Sequence, residues 1–211
     1  MRVIIVSGGT PPSKKLLLNY INKGDLIIGV DKGCNILNEY NIKPDLILGD
    51  FDSANKEVID KFINEGVKVE RFRPEKDYTD TDLGYEKAKE CGATEILLFG
   101  ATGTRLDHML GNIGIMLKAL REKISLYVID DNNKSWIIDK PTTIKGQHGS
   151  LISFHAISNI VRKVNIIGAK YELQNYDMTL FEPRAVCNEF IDKDITISFE
   201  EGNIMIILPV D

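Results

Sequence analysis

Within its first 130 residues the chain repeats one alternation that few folds accommodate: a short apolar run rich in β-branched residues, then a stretch with helical spacing, then another run. The runs are RVIIVSG, DLIIGVD, DLILGD, VKVERF, EILLFGA and ISLYVID. Most are apolar at consecutive positions rather than at every second one, so such a strand must be covered on both faces, as in a parallel sheet. The intervening KKLLLNYINKG, CNILNEYN, NKEVIDKFINEG, TDTDLGYEKAKECG and RLDHMLGNIGIMLKALRE supply the covering helices. Gly24, Gly66 and Gly92 stand where helices are expected to stop. Strand and helix in alternation predict an α/β domain, an open and mostly parallel sheet flanked by helices.

After about residue 130 the pattern changes. SWIID, TTIKG, SLISFHAI, VRKVNIIG, YELQN, ITISFEEGN and IMIILPV read as short strands separated by turn residues, and EEGN as a hairpin turn. No helix of three turns is visible there, which predicts a smaller all-β sandwich or barrel. The expected domains are therefore 1–130 and 131–211, with the boundary in DDNNKS at 130–135. A length of 211 residues suits one large domain or two small ones.

The formal net charge is -5 and no dense basic run occurs, so nothing points to a nucleic-acid partner. The opening MRVIIVSGGT is too short in its apolar part for a signal peptide or a membrane span and reads as a first strand, so no membrane partner is expected. Cys34, Cys91 and Cys187 form no CxxC pair, which fits reduced thiols in a cytoplasmic protein.

Acids collect at the carboxyl ends of the expected strands: Asp31 in GVDKG, Asp50 and Asp52 in GDFDS, Asp77, Asp80 and Asp82 in EKDYTDTD, and Asp107 in GTRLDH. In an open α/β sheet those ends form the ligand crevice. Carboxylates crowded together raise one another's pKa, and a hard divalent cation such as Mg²⁺ removes that penalty. On an extended strand Asp50 and Asp52 point the same way and Phe51 points to the packing side. The competing reading makes Asp45, Asp50 and Asp52 loop acids at the start of a helix near Asn55. Thr79 with Asp82 forms a weak capping box, which accounts for Asp82 but not for Asp77 and Asp80.

FGATGTRLDH reads as strand, glycine turn and helix start. Gly100 and Gly103 permit close backbone approach, a helix N-terminus can receive a phosphate, and the Arg105 guanidinium suits phosphate oxygens. No Walker loop is present. VSGGTPP is a second glycine turn, either bordering a nucleotide or simply tight. His108, His148 and His155 have no metal-ligand spacing. His108 is expected to support the helix after Asp107, and His155 to be a strand residue.

Taken together, GVDKG, LGDFDS, EKDYTDTDL, GATGTRLDHMLGN, GAKYEL, CNEF and ITISFEEG resemble the thiamine pyrophosphokinase family in order and spacing over nearly the whole chain. The resemblance implies an α/β domain followed by a β-sandwich. It also implies a homodimer, with thiamine near the subunit interface, that transfers pyrophosphate from ATP to thiamine with Mg²⁺, giving thiamine diphosphate and AMP. On it, Asp50, Asp52 and Asp80 match the metal-binding acids, and Arg105 and Asp107 an active-site segment. Tyr171 matches an aromatic that stacks on thiamine, and Asn188 the Asn of a Ser-Asn pair. Asp31, Lys76, Asp77 and Gly103 are further candidates for binding the nucleotide, Lys76 or Arg105 for stabilising charge on the transferred group, and Asp80 or Asp107 for handling the hydroxyl proton. Thr104 stands where a second glycine is usual, and Cys187 where a serine is. The alternatives are a Mg²⁺-dependent pyrophosphokinase or phosphohydrolase for another small heterocycle or nucleotide, and a non-catalytic nucleotide or thiamine binder.

Overall fold

Six parallel strands organise the first half of the chain in the computed structural model, which describes residues 1–73, 78–103 and 105–210. Two units separate, Met1–Asp131 and Asn132–Asp211. In the first, β1 (Arg2–Val6), β2 (Leu26–Val30), β3 (Leu46–Gly49), β4 (Lys68–Arg71), β5 (Glu95–Phe99) and β6 (Ser125–Ile129) run in the order β6-β5-β1-β2-β3-β4. The helices are α1 (Lys14–Tyr20), α2 (Gly33–Glu39), α3 (Lys56–Asn64), α4 (Asp80–Glu90) and α5 (Leu106–Arg121). The chain winds outward from β1 to β4, then returns to build β5 and β6 on the other side of β1. The topological switch point therefore lies between β1 and β5, where ligands bind in open α/β sheets.

Both faces of this sheet are buried, as consecutive apolar residues require. Ile4 and Val6 join Ile27, Ile47, Leu97 and Phe99 in a cluster closed by Leu17, Leu37 and Phe62. Val3 and Ile5, which alternate with them, are just as buried on the opposite face. Removing each such side chain from water contributes about 1.5–3 kcal/mol.

Helix ends follow the sequence signals with one exception. Gly66 and Gly92 follow the C-caps of α3 and α4 with φ of 77° and 85°. α1 stops earlier than its apolar spacing suggests, because Ile21 is already extended, and Gly24 sits in the next turn. Thr79 caps α4 by accepting from the Asp82 N–H at 3.2 Å. The Asp82 carboxylate pairs with Lys118 of α5 at 2.9 Å, so this acid serves the helix pair.

The second unit is all-β: β7 (Asn133–Ile138), β8 (Thr142–Ile144), β9 (Leu151–Ala156), β10 (Ile160–Ile167), β11 (Leu173–Thr179), β12 (Ala185–Glu189), β13 (Ile195–Ser198) and β14 (Ile204–Pro209). Antiparallel sets β12-β9-β14-β7 and β11-β10-β13-β8 share one core that includes Phe154, Val161, Ile166, Phe190, Ile197 and Ile206. That is a sandwich, whose two sheets fill a common interior with alternate side chains. EEGN is not a hairpin turn. β13 pairs with β10 and β8 while β14 pairs with β7 and β9, so these residues carry the chain from one sheet to the other. The backbones of Arg162 and residues 200–201 hold that crossing with two 3.0 Å hydrogen bonds. β12 escaped sequence detection because a register shift between Ala185 and Asn188, with Cys187 at φ 56°, breaks its alternation. No helix among the described residues is long and apolar enough to cross a membrane.

Candidate functional site

The carboxyl ends of β1, β2 and β5 and the start of α4 enclose a cavity of about 580 Å³ in the first unit. Its walls are the turn at 7–11 after β1, Asp31 and Lys32 after β2, Ser53, residues 79–81, and the turn at 100–103 with Arg105, His108 and Asn112. Both glycine turns thus border it, on either side of the switch point.

Those turns are stitched to each other. The Ser7 N–H donates to the Phe99 carbonyl at 2.9 Å, Gly9 to Gly100 at 2.7 Å, and Thr10 to Thr102 at 2.8 Å. The Gly9 and Thr10 amides are therefore committed to holding the rim. Asn112, only 7% exposed, donates from Nδ2 to the Ala101 carbonyl at 2.6 Å and fixes the second turn from below. Ser7, 2% exposed, shares a 3.0 Å hydroxyl contact with Thr81 and ties β1 to the start of α4. Sequence reasoning passed over Ser7, Thr81 and Asn112. Their only local signal is a polar residue within an apolar stretch.

The acids meet around Asp31. Carboxylate oxygens of Asp31, Asp50 and Asp52 all lie within 4.8 Å of one another. The route to this differs from the extended-strand expectation. β3 ends at Gly49, and Phe51 has φ 60°, so Asp50 and Asp52 belong to a turn in which Asp50 Oδ1 accepts the Asp52 N–H at 3.0 Å. Phe51 does pack inward, against the first unit's core, with the Arg71 guanidinium 5.0 Å from its ring centroid. Gly49, at φ 144°, lets β3 leave the sheet past Asp31, since a Cβ there would sit 3.2 Å from that of Asp31. The competing cap reading finds no support, because Asn55 occupies the N-cap of α3 and Glu57 is the acid of its first turn. Asp45 instead accepts the Ile27 N–H at 2.8 Å.

Electrostatics register the crowding. Asp52 is pushed up from the usual carboxylate range, first by the Asp50 charge, then by burial and by Asp31, with Asp80 adding to it. Asp31 accepts a hydrogen bond from the Ser53 hydroxyl through Oδ2, while its Oδ1 is buried with no hydrogen-bond partner among the described residues. Asp80 is the first residue of α4. Cys34, buried behind this loop, is pushed up to about 12 mainly by burial and further by Asp31, and none of the three cysteines is in a disulfide.

Arg105 occupies the N-cap of α5 and holds Asp107 with two contacts, Nη2 to Oδ2 at 2.6 Å and Nε to Oδ1 at 3.2 Å. That guanidinium lowers the Asp107 carboxyl from 3.8 to about 2, with burial opposing and the His108 N–H assisting. A depressed carboxyl keeps its pairing above its ordinary value and loses it as pH falls through about 2. Arg105→Ala is expected to return Asp107 toward 3.8, read by carbon NMR titration; a carboxyl still titrating near 2 would reject the pairing. Gly103 lines the cavity, and Lys76, Asp77 and Thr104 lie outside the described residues.

In the second unit Tyr171 is 63% exposed, with Lys170 Nζ 5.8 Å from its ring centroid. Asn188 is 3% exposed, and its amide is spent on backbone. Oδ1 accepts from Tyr171 N–H at 3.0 Å and Glu189 N–H at 2.9 Å, and Nδ2 donates to the Tyr171 carbonyl at 2.7 Å. Asn188 therefore sets where Tyr171 stands. Cys187 is exposed, and its N–H donates to Ser153 Oγ at 3.0 Å.

Comparison with known proteins adds the following. Residues 17–128 match the family profile described as "Thiamin pyrophosphokinase, catalytic domain", and residues 139–204 match "Thiamin pyrophosphokinase, vitamin B1 binding domain". A thiamine pyrophosphokinase of Bacillus subtilis is 32% identical over 209 residues, covering 98% of each chain. The crystal structure of the Bacillus subtilis enzyme superposes with a TM-score of 0.90 over 100% of both chains. That of Geobacillus thermodenitrificans thiamin pyrophosphokinase does so with 0.86 at 30% identity, covering 100% of this chain and 98% of that one.

Proposed function

The chain belongs to the thiamin pyrophosphokinase family, and from that premise we propose how its residues perform that family's reaction, the transfer of pyrophosphate from ATP to the hydroxyl of thiamine with release of AMP. The observation that carries the residue assignment is the convergence of Asp31, Asp50 and Asp52 beside a cavity at the sheet's switch point. A volume of about 580 Å³ is in the range of small-molecule sites.

The donor set fits Mg²⁺. It is all carboxylate oxygen, and one buried oxygen, Asp31 Oδ1, lacks a hydrogen-bond partner among the described residues. Asp31, Asp50 and Asp52 hold the ion in this reading, with Asp80 facing them through the charge that already reaches Asp52. Bound there, Mg²⁺ supplies charge neutralisation at phosphate oxygens. Arg105 turns part of its fork from Asp107 to the phosphates. Tyr171 offers thiamine, an aromatic cation, a ring whose backbone Asn188 has fixed.

In the transfer, the thiamine hydroxyl oxygen bonds to the β-phosphorus. The bond from that phosphorus to the oxygen bridging to the α-phosphate breaks, and AMP departs with that oxygen. The hydroxyl proton passes to a carboxylate. Asp80, which lines the cavity, takes that role in this reading. Positioning and charge neutralisation then carry most of the rate.

The assembly is a homodimer in this reading, supported by exposed Ile167, Tyr171, Leu180 and Phe181 in the second unit. Three free cysteines support a cytoplasmic setting. Incubation with ATP, Mg²⁺ and thiamine is expected to yield AMP and thiamine diphosphate in equal amounts. Phosphate release without thiamine would favour a hydrolase, and ligand binding without turnover a non-catalytic binder.

A further inference from the structure

Positive charge around the cavity is unevenly committed. Arg105 is gripped by Asp107 through two contacts. Lys32 lines the same cavity directly after Asp31 and is exposed, and its ammonium makes no hydrogen bond or ion pair among the described residues. Lys118, by contrast, is held between α4 and α5 by Asp82 at 2.9 Å and Glu86 at 2.8 Å. The place of Lys32 is also reserved by its neighbour. A methyl group on Gly8 would lie 2.9 Å from Lys32 Cβ, so the turn after β1 is bare where the lysine stem passes.

Chemistry gives that free ammonium a purpose. Asp31 and Asp80 share the cavity lining, and a polyphosphate entering beside them meets repulsion that cations must offset. A lysine is a compact charge on a flexible stem, suited to phosphate oxygens whose geometry changes during transfer. We propose that Lys32 binds the triphosphate of ATP, its ammonium donating to a non-bridging phosphate oxygen in this cavity. The proposal rests on the reading that ATP occupies the cavity.

The test is equilibrium binding of α,β-methylene-ATP with Mg²⁺, and separately of thiamine, to the whole protein and to Lys32→Met, Lys32→Arg and Arg105→Met. Lys32→Met is expected to weaken the analogue about tenfold or more, ~1.4 kcal/mol, and to leave thiamine affinity unchanged. Lys32→Arg is expected to restore the analogue to within about threefold, since the charge returns. Wild-type analogue affinity in Lys32→Met with a loss in Arg105→Met overturns the role of Lys32 and leaves ATP in the cavity. Wild-type affinity in both overturns the cavity reading as well. An equal loss of thiamine affinity in Lys32→Met also overturns the proposal, because the effect is then not on phosphate.

Discussion

Asp52→Asn is expected to lower AMP formation from ATP and thiamine at least about a hundredfold while the fold is kept, because it removes one of three carboxylates proposed to hold Mg²⁺. The side chain is exposed, and the amide keeps its shape. Asp52 is also the carboxylate raised by its neighbours, first by Asp50, so neutralising it relieves repulsion rather than breaking an attraction. The thermal midpoint should therefore hold or rise as activity falls, and the Mg²⁺ concentration for half-maximal rate should increase. AMP production at the wild-type rate would remove the metal assignment. Loss of activity together with a lowered midpoint would point to a structural role instead.

Gly9→Ala is expected to damage both stability and nucleotide use. A Cβ there would collide with the Thr102 carbonyl oxygen and lie 2.5 Å from that of Gly100, and both obstacles are backbone. Relief requires the two turns to part, which strains the 2.7 Å Gly9–Gly100 and 2.8 Å Thr10–Thr102 hydrogen bonds. Overpacking of this kind costs about 1–3 kcal/mol. Since the same turns wall the cavity, the KM for ATP should rise while the KM for thiamine changes less. A denaturant midpoint and an ATP KM both at wild-type values would show that the rim tolerates separation.

The two effects differ in origin. Asp52 costs the fold something and serves chemistry. Gly9 gives up a side chain so that two chain segments 91 residues apart can share a rim, Gly9 against Gly100. Such trade-offs at functional sites explain which parts of this protein are legible locally. The parallel sheet is legible because runs such as RVIIV must be covered on both faces whatever surrounds them. The acids are legible because they interrupt those runs at their ends. Asn188 is only half legible: its polarity is visible, but its partner is the Tyr171 backbone, 17 residues away, rather than a ligand. Asp31 is visible as an acid at the end of its run, but its distance from Asp50 and Asp52 is set by the pairing of β2 with β3 and the turn that follows.

From sequence alone followed the alternation that forces an α/β sheet, the change to β grammar near residue 130, the acids placed at strand ends, and the family resemblance carried by their order. These are properties of neighbours along the chain, and periodicity and spacing encode them. Tertiary structure alone decided that Phe51 turns at positive φ between Asp50 and Asp52, that Asp31 completes the acidic cluster, and that EEGN bridges two sheets. It also decided that Ser7, Thr81 and Asn112 brace the rim around a cavity that Lys32 also lines. Those outcomes depend on positive-φ backbone and on contacts between distant segments, which are settled by which surfaces can be buried together.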